Sequence, residues 1–341
     1  MTTKIAINGF GRIGRQVYRA LLERNFLDGK VEVVVINDLV PADNLAYLLK
    51  YDSVHGRLKQ NVKVLDDSTI QIGDHTLKTV ALKAHPRELP WKEYGIDLVI
   101  ESTGFFAKKD DAMGHIEAGA KKVIISAPSD QDVKTIVMGV NNAEYTGEQI
   151  VSNASCTTNC LAPMVHVLLT EGIGLEEGLM STIHAYTGTQ AIVDGTSRKE
   201  FREGRAAALN IIPTTTGAAK MVGKVIPAVN GKLTGVSYRV PVGDSSLVDL
   251  TFKPTKATSL EEIHAAFKKA SETYMAGIMS YTDEPVVSSD FIHDSHSCVY
   301  DAGAAVQLND RFFKIAGWYD NERGYSNRMV DLLDLVVSYK S

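Results

Sequence analysis

An apolar run, a glycine turn, a helical repeat, a second apolar run and an acidic residue follow one another within the first 38 residues. This order constrains the fold more than any other feature of the chain. Residues 4–8 (KIAIN) read as a buried strand, and Gly9, Gly11 and Gly14 follow at once in G-x-G-x-x-G spacing. Residues 15–25 carry Val17, Leu21 and Leu22 at helical spacing, and residues 31–38 read as a second buried strand ending in Asp38. Each part has a physical task. Gly9 permits a tight turn, Gly11 lets a pyrophosphate approach the backbone, Gly14 lets the helix sit close to the sheet, and the helix N-terminus attracts negative charge. Asp38 is placed to accept hydrogen bonds from ribose hydroxyls and to repel a 2′-phosphate, which favours NAD over NADP. The competing reading of Asp38 is a solvated loop carboxylate.

Further strands are predicted at 96–101, ending in Ser102-Thr103-Gly104, and at 122–126, ending in Ala127-Pro128. In a doubly wound sheet the ligand lies beyond the carboxyl ends of the strands, so Thr103 and Ser126 become candidate cofactor neighbours. Ordinary turn chemistry also explains Ser, Thr, Gly and Pro there. Residues 62–82 alternate apolar and polar and predict an antiparallel insertion; 137–140 and 149–152 are expected to finish the sheet. The second half reads differently. Strands are expected at 180–186, 231–242, 247–252 and 313–319, and a helix over 259–275 starts with the capping box Ser259/Glu262. The expected architecture is α/β: a Rossmann-type doubly wound parallel sheet over 1–155, completed by a C-terminal helix over about 321–341. An α+β catalytic domain with a mixed or antiparallel sheet is expected over 156–320.

Composition narrows the class. A length of 341 residues suits two domains. A net charge of -5 argues against a nucleic-acid binder, which rests on a basic surface. No run of 18 apolar residues suggests a membrane span, and the first residues lack a signal-peptide pattern. Three cysteines cannot build a disulfide framework, so a reducing, cytoplasmic compartment is expected. Cys156 and Cys160 are four apart with no histidine between them, and no metal site is expected.

The stretch 155–160 (SCTTNC) places Cys156 where a loop becomes a helix. A thiol there meets the positive end of the helix dipole and free N–H donors, both of which favour the nucleophilic thiolate. The plain alternative is a buried, inert cysteine. A nicotinamide site beside an activated cysteine suggests one reaction: the sulfur attacks an aldehyde, hydride leaves the carbon, and water or phosphate releases the acyl group. His184, near the end of a predicted strand, is the candidate base; alone it also fits a core or surface histidine. The long segment 187–227 holds Arg198, Arg202, Arg205 and the run 213–220 (PTTTGAAK), which suits phosphate binding or subunit contact.

Blocks 8–15 (NGFGRIGR), 51–56 (YDSVHG), 101–104 (ESTG), 154–163 (ASCTTNCLAP), 184–187 (HAYT), 210–213 (NIIP), 216–220 (TGAAK) and 318–322 (WYDNE) together resemble phosphorylating glyceraldehyde-3-phosphate dehydrogenases, nearly end to end. The resemblance implies Cys156 as nucleophile and His184 as its base. It implies Thr187, Thr189 and Arg239 around the substrate's own phosphate. Ser155, Thr157, Thr216 and Gly217, with Arg205 nearby, are implied around the attacking inorganic phosphate. Arg12, Ile13, Asp38, Ser126 and Asn321 are implied as NAD contacts, and a homotetramer with the segment from 187 to about 220 at its interface. The implied substrates are glyceraldehyde 3-phosphate and inorganic phosphate. Three positions depart from the pattern: Arg323 replaces an aromatic residue, Phe201 a frequent tryptophan, and Thr196 a proline common in NAD-specific members. An erythrose-4-phosphate dehydrogenase shares the cysteine block but not the 216–220 run; a non-catalytic binding protein on the same fold is the other alternative.

Overall fold

The computed structural model describes residues 2–130, 132–197 and 200–339. It separates into two compact units, one made of residues up to 136, 143–154 and from 326 on, the other of 137–142 and 155–325. Arg198, one of the basic residues of the long segment, lies outside the described residues.

The first unit is built on a nine-stranded sheet. Its chain order is β1 (Thr3–Asn8), α1 (Arg12–Glu23), β2 (Val31–Asn37), α2 (Ala42–Lys50), β3 (Val62–Asp66), β4 (Thr69–Ile72), β5 (His75–Val80), α3 (Trp91–Tyr94), β6 (Leu98–Glu101), α4 (Lys109–Glu117), β7 (Lys122–Ile125), β8 (Lys134–Thr135) and β9 (Ile150–Ser152). The spatial order is β3-β4-β5-β2-β1-β6-β7-β9-β8. All pairs from β5 to β8 are parallel, and β3, β4 and β5 form the antiparallel meander expected of 62–82. The chain winds outward from β1 in both directions, so the point of reversal lies between β1 and β6. Parallel strands covered on both faces are apolar throughout: Ile5, Ala6, Ile7, Val99 and Ile100 are fully buried. Residues 137–140 do not form the expected strand. Gly139 has φ +81°, and the Asn141 and Asn142 side chains accept the Val137 and Gly139 amides at 2.8 and 2.9 Å, which turns the chain instead. Residues from 326 on belong to this unit: Asp331 pairs with Arg24 at 2.7 Å, and Tyr339 meets Tyr145 edge to face.

The second unit contains α5 (Cys156–Thr170), β10 (Glu177–Ala185), β11 (Ile212–Thr215), α6 (Ala218–Val225), β12 (Leu233–Val240), β13 (Ser246–Lys253), α7 (Leu260–Glu272), β14 (Met279–Thr282), β15 (Cys298–Asn309), β16 (Phe312–Tyr319) and the start of α8 (Arg323–Ser338). Its sheet runs β11-β12-β10-β13-β16-β15-β14 and is mixed: β10/β12 and β14/β15 are parallel, the other pairs antiparallel. The Ser259/Glu262 capping box is present at α7. Helix α5 is apolar nearly all round because it is buried against the sheet; Leu161, Met164, Val165 and Leu168 are fully enclosed. Burying each such side chain contributes about 1.5–3 kcal/mol. Gly317 on β16 makes this approach possible. A Cβ there would stand 2.6 Å from Cys298 Sγ and 2.8 Å from Met164 Sδ.

Candidate active site

In the first unit the expected dinucleotide residues gather at the carboxyl ends of the strands. Gly9 adopts φ +89°, and a Cβ on it would lie 2.7 Å from the Thr103 amide nitrogen. The turns after β1 and β6 therefore abut at the point where the sheet order reverses. A Cβ on Gly14 would lie 2.2 Å from the Gly9 carbonyl oxygen, which explains the third glycine, whereas Gly11 faces open space. Gly11, the N-cap of α1, carries no side chain that could cap the helix's first N–H groups. This cradle fits a pyrophosphate. Asp38 stands just past β2. Its Oδ2 accepts the Phe10 amide at 2.7 Å and its Oδ1 the Leu39 amide at 2.7 Å, so the carboxylate also ties down the glycine turn.

Two neighbours lie in blocks noted in the sequence but were given no role there. The Arg12 guanidinium is held by Asp52, Nη1 to Oδ2 at 2.6 Å. Burial would raise the Asp52 carboxyl, but the His55 and Val54 amides and the Arg12 charge outweigh it and bring it to about 2. Glu101, buried at the end of β6, accepts from the Asn8 side chain at 2.6 Å and from the Thr103 amide and hydroxyl at 2.8 and 2.5 Å. It also pairs with His115 Nε2 at 2.9 Å, while His115 Nδ1 accepts from the Trp91 indole at 2.8 Å. Ser126 follows β7, its amide bonded to the Glu101 carbonyl at 2.9 Å.

In the second unit Ser155 caps α5. Its hydroxyl accepts the Thr158 amide at 3.1 Å and touches the Thr158 hydroxyl at 2.8 Å, so Cys156 becomes the first helical residue. Its sulfur lies 3.4 Å from His184 Nε2, across 28 residues of sequence. Burial pushes the Cys156 thiol up; the Arg239 charge, the Thr157 hydroxyl and the N–H groups of Thr157 and Cys156 oppose it without overcoming it. The helix-terminal donors expected to favour the thiolate are in place, but desolvation outweighs them in this structure. His184 is 4% exposed and held down to about 3, first by burial and then by Arg239, against the Ala185 carbonyl. Its Nδ1 lies 2.7 Å from the Ala185 carbonyl oxygen and 2.5 Å from Arg239 Nη1. His184 and Arg239 face each other in the parallel register of β10 and β12.

The other expected residues are distributed around this pair. Thr187 and Thr189 follow β10; their hydroxyls are 3.0 Å apart, and both contact the Gln190 amide. Thr157 is buried, its hydroxyl 3.0 Å from the Tyr319 hydroxyl, which is 2.8 Å from the Thr182 hydroxyl. Thr216 and Gly217 precede α6, and the Thr216 hydroxyl accepts the Ala218 amide at 3.2 Å. Arg205 pairs with exposed Asp194 at 3.0 Å. Asn321 is held through Ser246: the Ser246 hydroxyl donates to Asn321 Oδ1 at 2.6 Å and accepts the Ala185 amide at 3.1 Å. Tyr319, Ser246, Gln190 and Thr182 were not assigned from sequence, where only the block 318–322 drew attention to Tyr319. Phe201 is 86% exposed and Thr196 lies on the same surface segment. The Arg323 amide bonds to Asp320 Oδ1 at 2.6 Å, and nothing in the structure explains the choice of arginine there.

Comparison with known proteins gives two family matches. Residues 3–109 match the NAD binding domain of glyceraldehyde 3-phosphate dehydrogenase, and residues 155–321 match its C-terminal domain. The chain is 56% identical over 334 residues to glyceraldehyde-3-phosphate dehydrogenase 1 of Trichormus variabilis, covering 97% of this chain and 95% of that one. It is 53% identical to the glyceraldehyde-3-phosphate dehydrogenase of Chlamydia pneumoniae, covering 98% of each. It is also 53% identical to the cytosolic enzyme of Pisum sativum, covering 97% of this chain and 96% of that one.

Proposed function

This chain belongs to the glyceraldehyde 3-phosphate dehydrogenase family, and on that premise we propose that it converts glyceraldehyde 3-phosphate and inorganic phosphate to 1,3-bisphosphoglycerate with NAD. The observation that carries this reading is the Cys156 Sγ to His184 Nε2 distance of 3.4 Å at a capped helix start. Cys156 Sγ forms a bond to the aldehyde carbon, its S–H bond breaks and that proton passes to the carbonyl oxygen, giving a hemithioacetal on the sulfur. His184 Nε2 then accepts the hydroxyl proton as the carbonyl re-forms. NAD, when bound, supplies the acceptor for the hydride that leaves the same carbon. The thioester on Cys156 is attacked by a phosphate oxygen, the C–S bond breaks, and the sulfur is regenerated.

The positioning roles are those the family resemblance implies. Arg239, Thr187 and Thr189 would hold the substrate's phosphate, Arg239 already reaching the base. Ser155, Thr157, Thr216 and Gly217, with Arg205 at the margin, would hold the attacking phosphate. On the cofactor side, Gly9, Gly11, Arg12, Ile13 and Gly14 would hold the pyrophosphate, Asp38 the ribose, and Thr103, Ser126 and Asn321 the remaining contacts. Residues 1–155 with the last helix would form the NAD-binding domain, and 156–320 the catalytic one. A homotetramer is supported by Ile192, Val193, Phe201, Leu209 and Ile211, which are 69–88% exposed within one segment. A cytoplasmic location is supported by three free cysteines and by the named cytosolic relative; no helix among the described residues is long and apolar enough to cross a membrane.

The test is NADH formation from glyceraldehyde 3-phosphate with and without phosphate, beside erythrose 4-phosphate and NADP. Turnover that depends on phosphate and prefers the triose and NAD supports the reading. Preference for erythrose 4-phosphate favours the sister activity, and absence of turnover a non-catalytic protein.

A further inference from the structure

His184 Nδ1 has one position for a proton and two neighbours that demand opposite things of it. The Ala185 carbonyl oxygen, 2.7 Å away, can only accept, so it requires a proton on Nδ1. Arg239 Nη1, 2.5 Å away, can only donate, so it requires a bare Nδ1. A guanidinium does not lose its charge in a protein, so the conflict cannot be relieved from that side. Arg239 Nη1 also reaches the Ala185 oxygen at 3.3 Å, so it can satisfy the carbonyl while it occupies the ring nitrogen. A neutral imidazole with a bare Nδ1 carries its proton on Nε2, and Nε2 is the atom 3.4 Å from Cys156 Sγ. In that form Nε2 is a donor and cannot accept a proton from sulfur or from a hydroxyl on the adjacent carbon.

We propose that Arg239 sets which nitrogen of His184 carries the proton, and that a phosphate ester engaging Arg239 switches the base on. A dianionic ester draws the guanidinium into a bidentate contact and away from Nδ1. Nδ1 then takes a proton from a water molecule, the hydroxide so formed takes the Nε2 proton, and the new Nδ1–H donates a hydrogen bond to the Ala185 carbonyl, so the ring's proton count is unchanged. The same movement compensates the positive charge facing the ring. Among the described residues, Cys156 from α5, Arg239 from β12 and the Tyr319 ring from β16 at 6.0 Å face His184, and of these only Arg239 carries a fixed charge. The substrate's phosphate thus acts on the chemical step as well as on binding, which makes Arg239 a positioning and specificity residue for the base. This rests on the roles given above to His184 and Arg239.

The test uses the intact enzyme with saturating NAD and D-glyceraldehyde, which lacks the ester, while phosphite dianion is added separately. The readout is the rate of the first NADH turnover, which precedes acyl release, so any action of phosphite as an acyl acceptor does not enter. Phosphite is expected to raise the limiting rate, not only the apparent affinity, by on the order of 10²-fold, the scale of general-base catalysis. Nitrogen-15 histidine spectra, with His184→Asn identifying the ring, are expected to show the proton on Nε2 alone and on Nδ1 once phosphite is added. In Arg239→Gln the proton is expected on Nδ1 throughout, with no response to phosphite. No acceleration in the unmodified enzyme, an unchanged His184 pattern, or equal acceleration in Arg239→Gln each overturns the proposal. Failure of glyceraldehyde 3-phosphate itself to give a first turnover would instead sink the functional reading beneath it.

Discussion

The Asp38 carboxylate accepts the Phe10 amide at 2.7 Å, so the acidic residue after β2 also holds the glycine turn after β1. This separates two effects that an alanine substitution would merge. Asp38→Asn keeps an acceptor for Phe10 and removes the charge that repels a 2′-phosphate; Asp38→Ala removes both. Parallel kinetics with NAD and NADP should show NADP use rising in both variants. NAD affinity should weaken further in Asp38→Ala, by about 1 kcal/mol for the lost hydrogen bond. Unchanged NADP kinetics in both variants would contradict the ribose role.

Cys156→Ser should reduce NADH formation by at least about 10⁴-fold, because a serine hydroxyl is a far weaker nucleophile at neutral pH and acts with His184 as a unit. NAD titrated by fluorescence quenching should bind nearly as before. Substantial residual turnover would show that another group attacks the aldehyde.

The Tyr319 hydroxyl bridges Thr157 and Thr182 inside the second unit, and burial pushes the phenol up so that it stays protonated. Tyr319→Phe leaves two buried threonine hydroxyls without that partner, at a cost of about 1–3 kcal/mol in stability. If Thr157 serves the attacking phosphate, KM for phosphate should rise while first-turnover NADH formation changes little. A thermal melt and a phosphate titration give the two answers.

Asp244 is buried beside Asp320, whose carboxylate already accepts the His293, Glu322 and Arg323 amides at 2.8, 2.9 and 2.6 Å. Burial, and then the charges of Asp320 and Glu322, push the Asp244 carboxyl up, so the folded protein keeps that proton at neutral pH. The unfolded chain releases it near pH 4, so folding is penalised progressively as pH rises above that value. Asp244→Asn should match the parent near pH 4 and gain stability steadily as pH rises to 8, by at least about 1.4 kcal/mol, the worth of one pKa unit. Melting curves across that range decide it, and a gain that is constant with pH would exclude this cause.

Much of the fold is legible in local pattern. Gly9 and Gly14 are demanded by a left-handed turn and a 2.2 Å approach, each a constraint within a few residues of chain, while the structure leaves Gly11 facing open space. The Ser259/Glu262 box and the Ser155 cap are equally local. Residues 298–309 show no alternation to mark them, yet β15 forms there. Its run of Ala, Gly and polar residues is held in the sheet by β16 and interrupted by two register shifts. Residues 137–140 look like a strand by composition, and two asparagine side chains turn them instead.

What the sequence by itself determined is the set of parts: a glycine turn before a helix, an acid after the second strand, a cysteine where a loop becomes a helix, and a chain whose blocks match one family. These follow from steric and hydrogen-bonding rules that act over one or two turns of chain. The tertiary structure alone decided which parts meet. His184 and Arg239, 55 residues apart, are neighbours because β10 and β12 pair in parallel in that register, and Cys156 joins them through the packing of α5. Register between distant strands is set by burial of whole faces, and shifting it by one residue would turn His184 or Arg239 to the opposite side of the sheet. No local pattern in either segment records that choice.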